Sequence, residues 1–264
     1  MTKLIRSLTR GINVIDAMNR SDTPMSLHEI HQATELDRAT LLRILATLED
    51  AGWVHKGIAD NRYRMTYQMH ELGMKVSIHD ALAQIAAPIL EQLQSELVWP
   101  SDIAVYNGNC MEIVETTRKK TPFVINREIM TAKPDMLQSA IGRVYLAFCP
   151  EDERLAILKR LRKLDSKEGE IARKEEQVNQ MLEHIQQTGY AERKPGYWDV
   201  LADYGGQVSA IAVPVILMDE VQATINLVWL TGACEQKQVD EVFFPRLQLA
   251  AQALADELYN NQLY

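Results

Sequence analysis

Arg38, Ala39, Thr40, Arg43, Ala46 and Thr47 gather on one side of a helical repeat whose other side carries Leu41, Ile44, Leu45 and Leu48. Arginines and hydroxyls set among alanines suit a helix that lies in the major groove. Low side chains allow close approach, and guanidinium and hydroxyl groups then reach base edges and phosphates. A solvated face of a core helix carries the same pattern. Further along, Arg62 and Arg64 alternate with Tyr63 and Met65, the period of a strand with two faces. With Trp53-Val-His-Lys56 and the turn Gly57-Ile-Ala-Asp-Asn61 they predict a basic hairpin. Its arginines would follow the phosphate backbone or enter the minor groove, while Tyr63 and Met65 pack on the helix.

Other chemistries find little support. His28 and His31 are three apart on a predicted helix, but no nearby Cys, His or carboxylate completes a metal site, so exposed histidines are expected. Cys110, Cys149 and Cys234 are odd in number and widely spaced, which fits reduced thiols better than disulfides or zinc. There is no glycine-rich phosphate loop and no nucleophile elbow, and Gly205-Gly206 lacks a strand-to-helix setting. The expectation is a protein that is not an enzyme and holds no cofactor or metal. No run of about 18 apolar residues is available to span a bilayer, and Met1-Thr-Lys-Leu-Ile-Arg6 is too short and polar for a secretory signal. A cytoplasmic location without a membrane partner follows.

The 264 residues, 47% of them apolar, are enough for two cores. The net charge of −8 argues at first against a nucleic-acid partner. Its distribution does not: residues 1–67 hold nine Lys/Arg against eight Asp/Glu, and residues 68–264 hold nineteen against twenty-eight. The acidity belongs to the second part, and a local basic surface matters more than the total.

The elements that must position the arginines can be read in order. Leu4, Ile5, Leu8, Ile12 and Ile15 predict an amphipathic helix from about Lys3 to Met18 with this stripe turned inward. Ser26-Leu-His-Glu29 is a capping box for a second helix through Ala33, and Asp37 caps a third that stops near Gly52. Apolar residues from Met69 to Leu97 continue a helical stripe interrupted by Pro88, which predicts a linker helix ending near Ala87 and a new helix after it. Packing on its own domain and a dimer-forming surface fit this stripe equally. Beyond it, Ile103–Tyr106 and Met111–Val114 flank Asn107-Gly108-Asn109 as a tight hairpin. Strands are also expected at 123–126, 208–216 and 223–229, with helices at 142–148, 152–164, 171–187 and 244–259. This is an α+β chain: a winged helix-turn-helix at 1–67, a linker helix at 68–87, and a mainly antiparallel sheet flanked by helices at 88–264.

The runs Arg6-Ser-Leu-Thr-Arg-Gly-Ile12, Leu36-Asp-Arg-Ala-Thr-Leu-Leu-Arg-Ile-Leu-Ala-Thr-Leu48, Ala51-Gly-Trp-Val54 and Arg62-Tyr-Arg-Met65 resemble the N-terminal domain of the IclR family of transcription regulators. In the second half, Ser139-Ala-Ile-Gly-Arg-Val-Tyr-Leu-Ala-Phe-Cys-Pro150, Gly189-Tyr-Ala191 and Ala210-Ile-Ala-Val-Pro-Val215 resemble the same family's GAF-like effector domain. Trp99-Pro-Ser-Asp102, Glu115-Thr-Thr117, Ile211-Ala-Val-Pro214 and Asn226-Leu-Val228 are most similar to the MhpR-like branch, which responds to hydroxylated phenylpropionates or related aromatic acids. Two departures stand out: the family's Gly-Lys-Ala is Gly142-Arg143-Val144, and its Leu-Pro-Leu is Pro134-Asp-Met-Leu137.

The resemblance implies operator reading by the third helix braced by the wing, which assigns DNA contacts to Arg38, Ala39, Thr40, Arg43, Thr47, Arg62 and Arg64. It implies an effector pocket at Met136, Ala140, Val208, Ala210, Asn226 and Val228, small or apolar surroundings that suit a flat ring. Arg127 is the candidate for the effector's carboxylate, with a surface salt bridge as its alternative, and Asn226 is placed to bond a ring hydroxyl or the acid. Tyr197 and Trp198 either cover the pocket or simply pack. The implied partners are double-stranded operator DNA, a small aromatic acid, a second copy in a dimer or a tetramer of two dimers, and RNA polymerase for an activator. A non-aromatic keto or hydroxy acid, and a module whose winged helix contacts protein instead of DNA, remain as alternatives.

Overall fold

In the computed structural model, which describes residues 3–73, 78–123, 125, 129–197 and 208–263, the chain divides after residue 77 into two units. The first holds α1 (Arg6–Asn19), α2 (Leu27–Thr34), α3 (Arg38–Asp50), β1 (Val54–Lys56), β2 (Tyr63–Met65) and α4 (Tyr67–Gly73). Local signals start and stop these helices. The Ser26 hydroxyl accepts the Glu29 N–H at 3.3 Å while the Glu29 carboxylate accepts the Ser26 N–H at 2.6 Å, the expected capping box. Asp37 accepts the Thr40 N–H at 2.9 Å to open α3. Gly52, at a φ of 74° that other residues rarely adopt, turns the chain out of α3 toward β1. β1 and β2 pair antiparallel with Val54 opposite Met65, and Met25 bridges to Tyr63 on the other side of β2.

The core of this unit is Val14, Met18, Ile30, Leu41, Leu45, Leu48, Val54 and Tyr63. The first helix departs from expectation. Leu4, Ile5, Leu8 and Ile12 are each more than half exposed, and Val14 and Met18 are the buried residues of α1. Spacing shows which residues share a face, but not that the same chain covers it.

The second unit opens with α5 (Ile78–Leu97), which runs unbroken through Pro88. The expected helix break near Ala87 is absent, and the division between units lies ten residues earlier. An interior proline costs about 3 kcal/mol. Leu82, Leu90 and Leu93 of α5 are buried, at roughly 1.5–3 kcal/mol each, which outweighs that cost.

β3 (Ser101–Tyr106), β4 (Met111–Thr116), β5 (Ala191–Glu192), β6 (Val208–Leu217) and β7 (Glu220–Leu230) form an antiparallel sheet in the order β4-β3-β7-β6-β5. One face, with Ile103, Val105, Ile211, Val213, Ile225 and Leu227, packs on α5 and α11 (Phe244–Asn260). The other, with Ala104, Met111, Ile113, Ala210, Ala212 and Val228, packs on α6 (Ala140–Phe148) and α9 (Glu175–Thr188). α7 (Glu151–Leu161) and α8 (Lys167–Ala172) join these two helices, so the helix expected from 171 to 187 is split. A short α10 (Gln236–Gln238) and a π turn lead into α11. No strand forms at Phe123 or Ile125, which lie in bends. Phe123 stacks on Trp99 with ring centroids 4.3 Å apart. The fold class is α+β, as the sequence predicts.

Candidate nucleic-acid interface and effector cavity

α3 turns Leu41, Leu45 and Leu48 into the core, so its opposite face is left to solvent. Arg38, Ala39, Arg43, Ala46 and Thr47 are exposed and Thr40 is half-buried. Neither Arg38 nor Arg43 makes an ion pair among the described residues. The Thr47 hydroxyl donates to the Arg43 carbonyl at 2.9 Å, but its oxygen still has acceptor capacity. The outcome is two unpaired guanidiniums on a low-profile helix surface. Thr40, Arg43 and Thr47 also line a groove of about 550 Å³ between α1 and α3, whose apolar wall is Leu8, Ile12, Ile15, Ile44, Leu48 and Trp53.

The wing arginines differ from the expectation that both are offered to phosphates. Arg62 donates to the Pro24 carbonyl at 2.7 Å and to Glu29 Oε2 at 2.8 Å, the same carboxylate oxygen that closes the capping box. It is a clamp from β2 to the start of α2. Arg64 pairs with Asp60, and that bond, followed by the Arg62 backbone N–H, lowers the Asp60 carboxyl to about 2. Tyr63 is buried, and Met65 packs at the edge of the same core.

The second site lies on the α6 face of the sheet. Sheet register sets Asp102 of β3 directly between Asn226 of β7 and Thr116 of β4. Arg118, two residues beyond β4, reaches back to Asp102 through two parallel bonds, Nε to Oδ1 at 2.8 Å and Nη2 to Oδ2 at 2.7 Å. Thr116 Oγ1 donates to Oδ1 at 2.7 Å and Asn226 Nδ2 to Oδ2 at 3.0 Å, while Asn226 Oδ1 accepts the Asp102 N–H at 2.8 Å. All of Asp102 and nearly all of Arg118 is withdrawn from solvent. Burial pushes the Asp102 carboxyl up, but the Arg118 charge and the bonds from Arg118, Thr116 and Asn226 together hold it below the usual carboxylate range.

This network borders a small void of about 30 Å³. Of the expected pocket residues, Ala140, Ala210, Asn226 and Val228 line it. Val208 instead lines a neighbouring cleft of about 250 Å³ that shares Arg193 and Ala210 with the void. Met136 is buried against the start of α6 and is not among the lining residues. Arg127 and Trp198 lie outside the described residues. Asn226 already spends both polar atoms on Asp102, so its first role is to hold the network. Sequence reasoning missed Asp102, Arg118, Ser139 and Arg193, which also line the void, as does Tyr197, for which covering the pocket or simple packing is expected. The first amides of α6 at Ala140 and Ile141 have no acceptor among the described residues. Within those residues no group of three His, Cys, Asp or Glu is arranged to hold a metal.

Residues 7–57 match the IclR helix-turn-helix domain, and residues 74–256 match the bacterial transcriptional regulator IclR C-terminal domain. The chain belongs to the IclR family. It is a transcription regulator with a DNA-binding domain followed by an effector domain. It is 24% identical to the HTH-type regulator XynR of Escherichia coli over 97% of this chain and 98% of that protein. With the probable regulator SauR of Cupriavidus necator the identity is 25%, over 55% of this chain and only 57% of that protein. An IclR homologue from Microbacterium hydrocarbonoxydans, solved with 4-hydroxybenzoate, shares the fold at a TM-score of 0.54 and 21% identity, covering 96% of this chain and 99% of that one.

Within this IclR-family chain the two departures at α6 have structural partners. Gly142 is tightly constrained, since a Cβ there would lie 2.4 Å from the Asp135 carbonyl oxygen and 2.5 Å from Met136 Cα. Arg143 donates to the Leu137 carbonyl at 3.1 Å and the Glu192 carbonyl at 2.7 Å, tying α6 to β5. Asp135 in turn donates its N–H to the Tyr197 oxygen at 2.7 Å. Pro134, Ser139, Ala140 and Ile141, which line the void, are neighbours in sequence of these tightly packed residues.

Proposed function

We propose that this regulator binds an operator as a homodimer through the exposed face of α3, and that a small aromatic carboxylic acid in the α6-face cavity tunes that binding. Arg38, Ala39, Thr40, Arg43 and Thr47 meet the major groove, and Arg64 meets a phosphate once it exchanges Asp60 for it. The observation that carries the DNA reading is that Arg38 and Arg43 are exposed and make no ion pair among the described residues, on a face of α3 that they share with Ala39, Ala46 and Thr47 and with the exposed Leu42, Glu49 and Asp50. Supporting the dimer, Leu4, Ile5, Leu8 and Ile12 form an exposed aliphatic stripe beside the apolar groove. A second copy that covers this stripe removes it from water and supplies the two-fold symmetry of a palindromic operator. Supporting the acid, the Microbacterium homologue was solved with 4-hydroxybenzoate, and the cavity residues resemble the MhpR-like branch. Aromatic-compound catabolism is the corresponding regulon.

A second reading has its own observation. The small void has room for roughly two waters, a carboxylate head without a ring. A small keto or hydroxy acid fits it with less rearrangement. Thermal-shift titration of 4-hydroxybenzoate, 3-phenylpropionate and pyruvate separates the two, because a ligand raises Tm according to its occupancy. Stabilisation by pyruvate alone would remove the aromatic reading. Loss of operator binding in Arg43→Ala is expected in a mobility assay, and unaltered binding would remove the role given to α3.

A further inference from the structure

The donors and acceptors around the inner void are unequally spent. Asp102 accepts four hydrogen bonds, two on each oxygen, from Thr116, Asn226 and twice from Arg118. A carboxylate has about four such positions, so none is left for a ligand. Arg118 has five N–H groups. Nε and one hydrogen of Nη2 go to Asp102, and one hydrogen of Nη1 goes to the Ile125 carbonyl at 3.3 Å. Among the described residues one N–H on each terminal nitrogen stays unused, on a side chain that is 4% exposed and borders the void. Asn226 keeps one amide hydrogen, and Ala140 and Ile141, whose amides have no acceptor among the described residues, line the same void. What the wall offers is mostly donors, and what it lacks is an acceptor-rich group.

We infer that Arg118 is the oxyanion receptor of this protein, taking the effector's carboxylate on its two unused N–H groups. Asp102, flanked by Thr116 and Asn226, is a positioning residue that fixes the guanidinium edge toward the void and offers the ligand nothing itself. This replaces Arg127 as the partner of the acid. The inference rests on the reading of this cavity as the effector site, and it adds a sign that a purely structural ion pair lacks. Neutralising Asp102 leaves the guanidinium buried and uncompensated, so an added anion becomes worth more. Neutralising Arg118 removes the receptor.

The test uses the full chain, with thermal unfolding followed in sodium formate and in sodium 4-hydroxybenzoate, each against sodium chloride at equal ionic strength. Formate is small enough for the void as it stands. Wild type is expected to gain Tm with formate. Asp102→Asn should reach half of its shift at several-fold lower formate. Arg118→Gln should need at least tenfold more, and because it strands Asp102 the double variant Asp102→Asn/Arg118→Gln, which keeps an uncharged hydrogen-bonding pair, is measured beside it with the same loss expected. A formate response in the double variant equal to wild type overturns the assignment, as does a wild type that responds to neither acid. If formate acts on wild type and 4-hydroxybenzoate does not, the receptor stands and the aromatic reading falls. If 4-hydroxybenzoate stabilises wild type and the double variant alike, the aromatic reading stands and the receptor falls.

Discussion

Arg43 and Arg62 are both arginines of the DNA-binding unit, but only Arg62 is engaged within it, a difference that salt can test. Each cation that neutralises a phosphate of duplex DNA contributes about 0.9 to the slope of log affinity against log salt. Arg43 is exposed and makes no ion pair among the described residues. Arg43→Gln should therefore either flatten the slope by about 0.9 per subunit or, if the side chain reads a base, cost about 1–3 kcal/mol at one operator position. Arg62 is already engaged. Its pair with Glu29 is 38% and 43% exposed on the two sides, so solvent screening leaves it little, and the bond to the Pro24 carbonyl contributes about 1 kcal/mol. Arg62→Gln should thus lower the stability of the first unit by about 1 kcal/mol and leave the slope unchanged. Fluorescence anisotropy with DNA flanking the protein's own gene, from about 50 to 200 mM salt, reads both quantities. A slope lost equally in Arg62→Gln and Arg43→Gln would refute the clamp.

Other consequences follow from single contacts. Gly142→Ala forces a methyl against the Asp135 carbonyl and Met136 Cα, which should cost about 1–3 kcal/mol of unfolding free energy and weaken acid binding; normal stability by denaturant titration would show that this backbone gives way easily. Leu8→Ser removes apolar surface that is 60% exposed in one chain, so it should leave Tm nearly unaltered and weaken the dimer in sedimentation equilibrium; unchanged association would remove α1 from the interface. Asp102 is held below the ordinary aspartate value of about 3.9, so its stabilisation is complete above that value and is lost as pH falls through the folded one. Asp135 and Glu168 are both raised by burial and act in the opposite sense, so Glu168→Gln should flatten the mildly acidic side of the stability profile and spare the steep loss at lower pH; a profile that Glu168→Gln leaves unmoved would contradict this division.

The helix-turn-helix was legible because its signals are local. Capping at Ser26 and Asp37, the turn at Gly52 and the alternation at Arg62–Met65 each act within a few residues. The α1 stripe misled because periodicity carries no information on which chain covers it. Pro88 misled because tertiary packing of α5 outweighs a local breaker. The effector cavity was half legible. Ala140, Ala210, Asn226 and Val228 came through resemblance, but Arg118 lies 16 residues from Asp102 and Asn226 lies 124 away, and only sheet register brings them together.

In the proposed function the α3 face and the α6-face cavity are two ends of one equilibrium. The direct measurement is acid affinity, by calorimetry with an acid shown to stabilise the protein, in the absence and in the presence of saturating operator DNA. Linkage requires the two affinities to differ by the same factor by which that acid alters operator affinity, within the usual range of about 5–150-fold for coupled sites. Identical acid affinity with and without DNA would contradict the account.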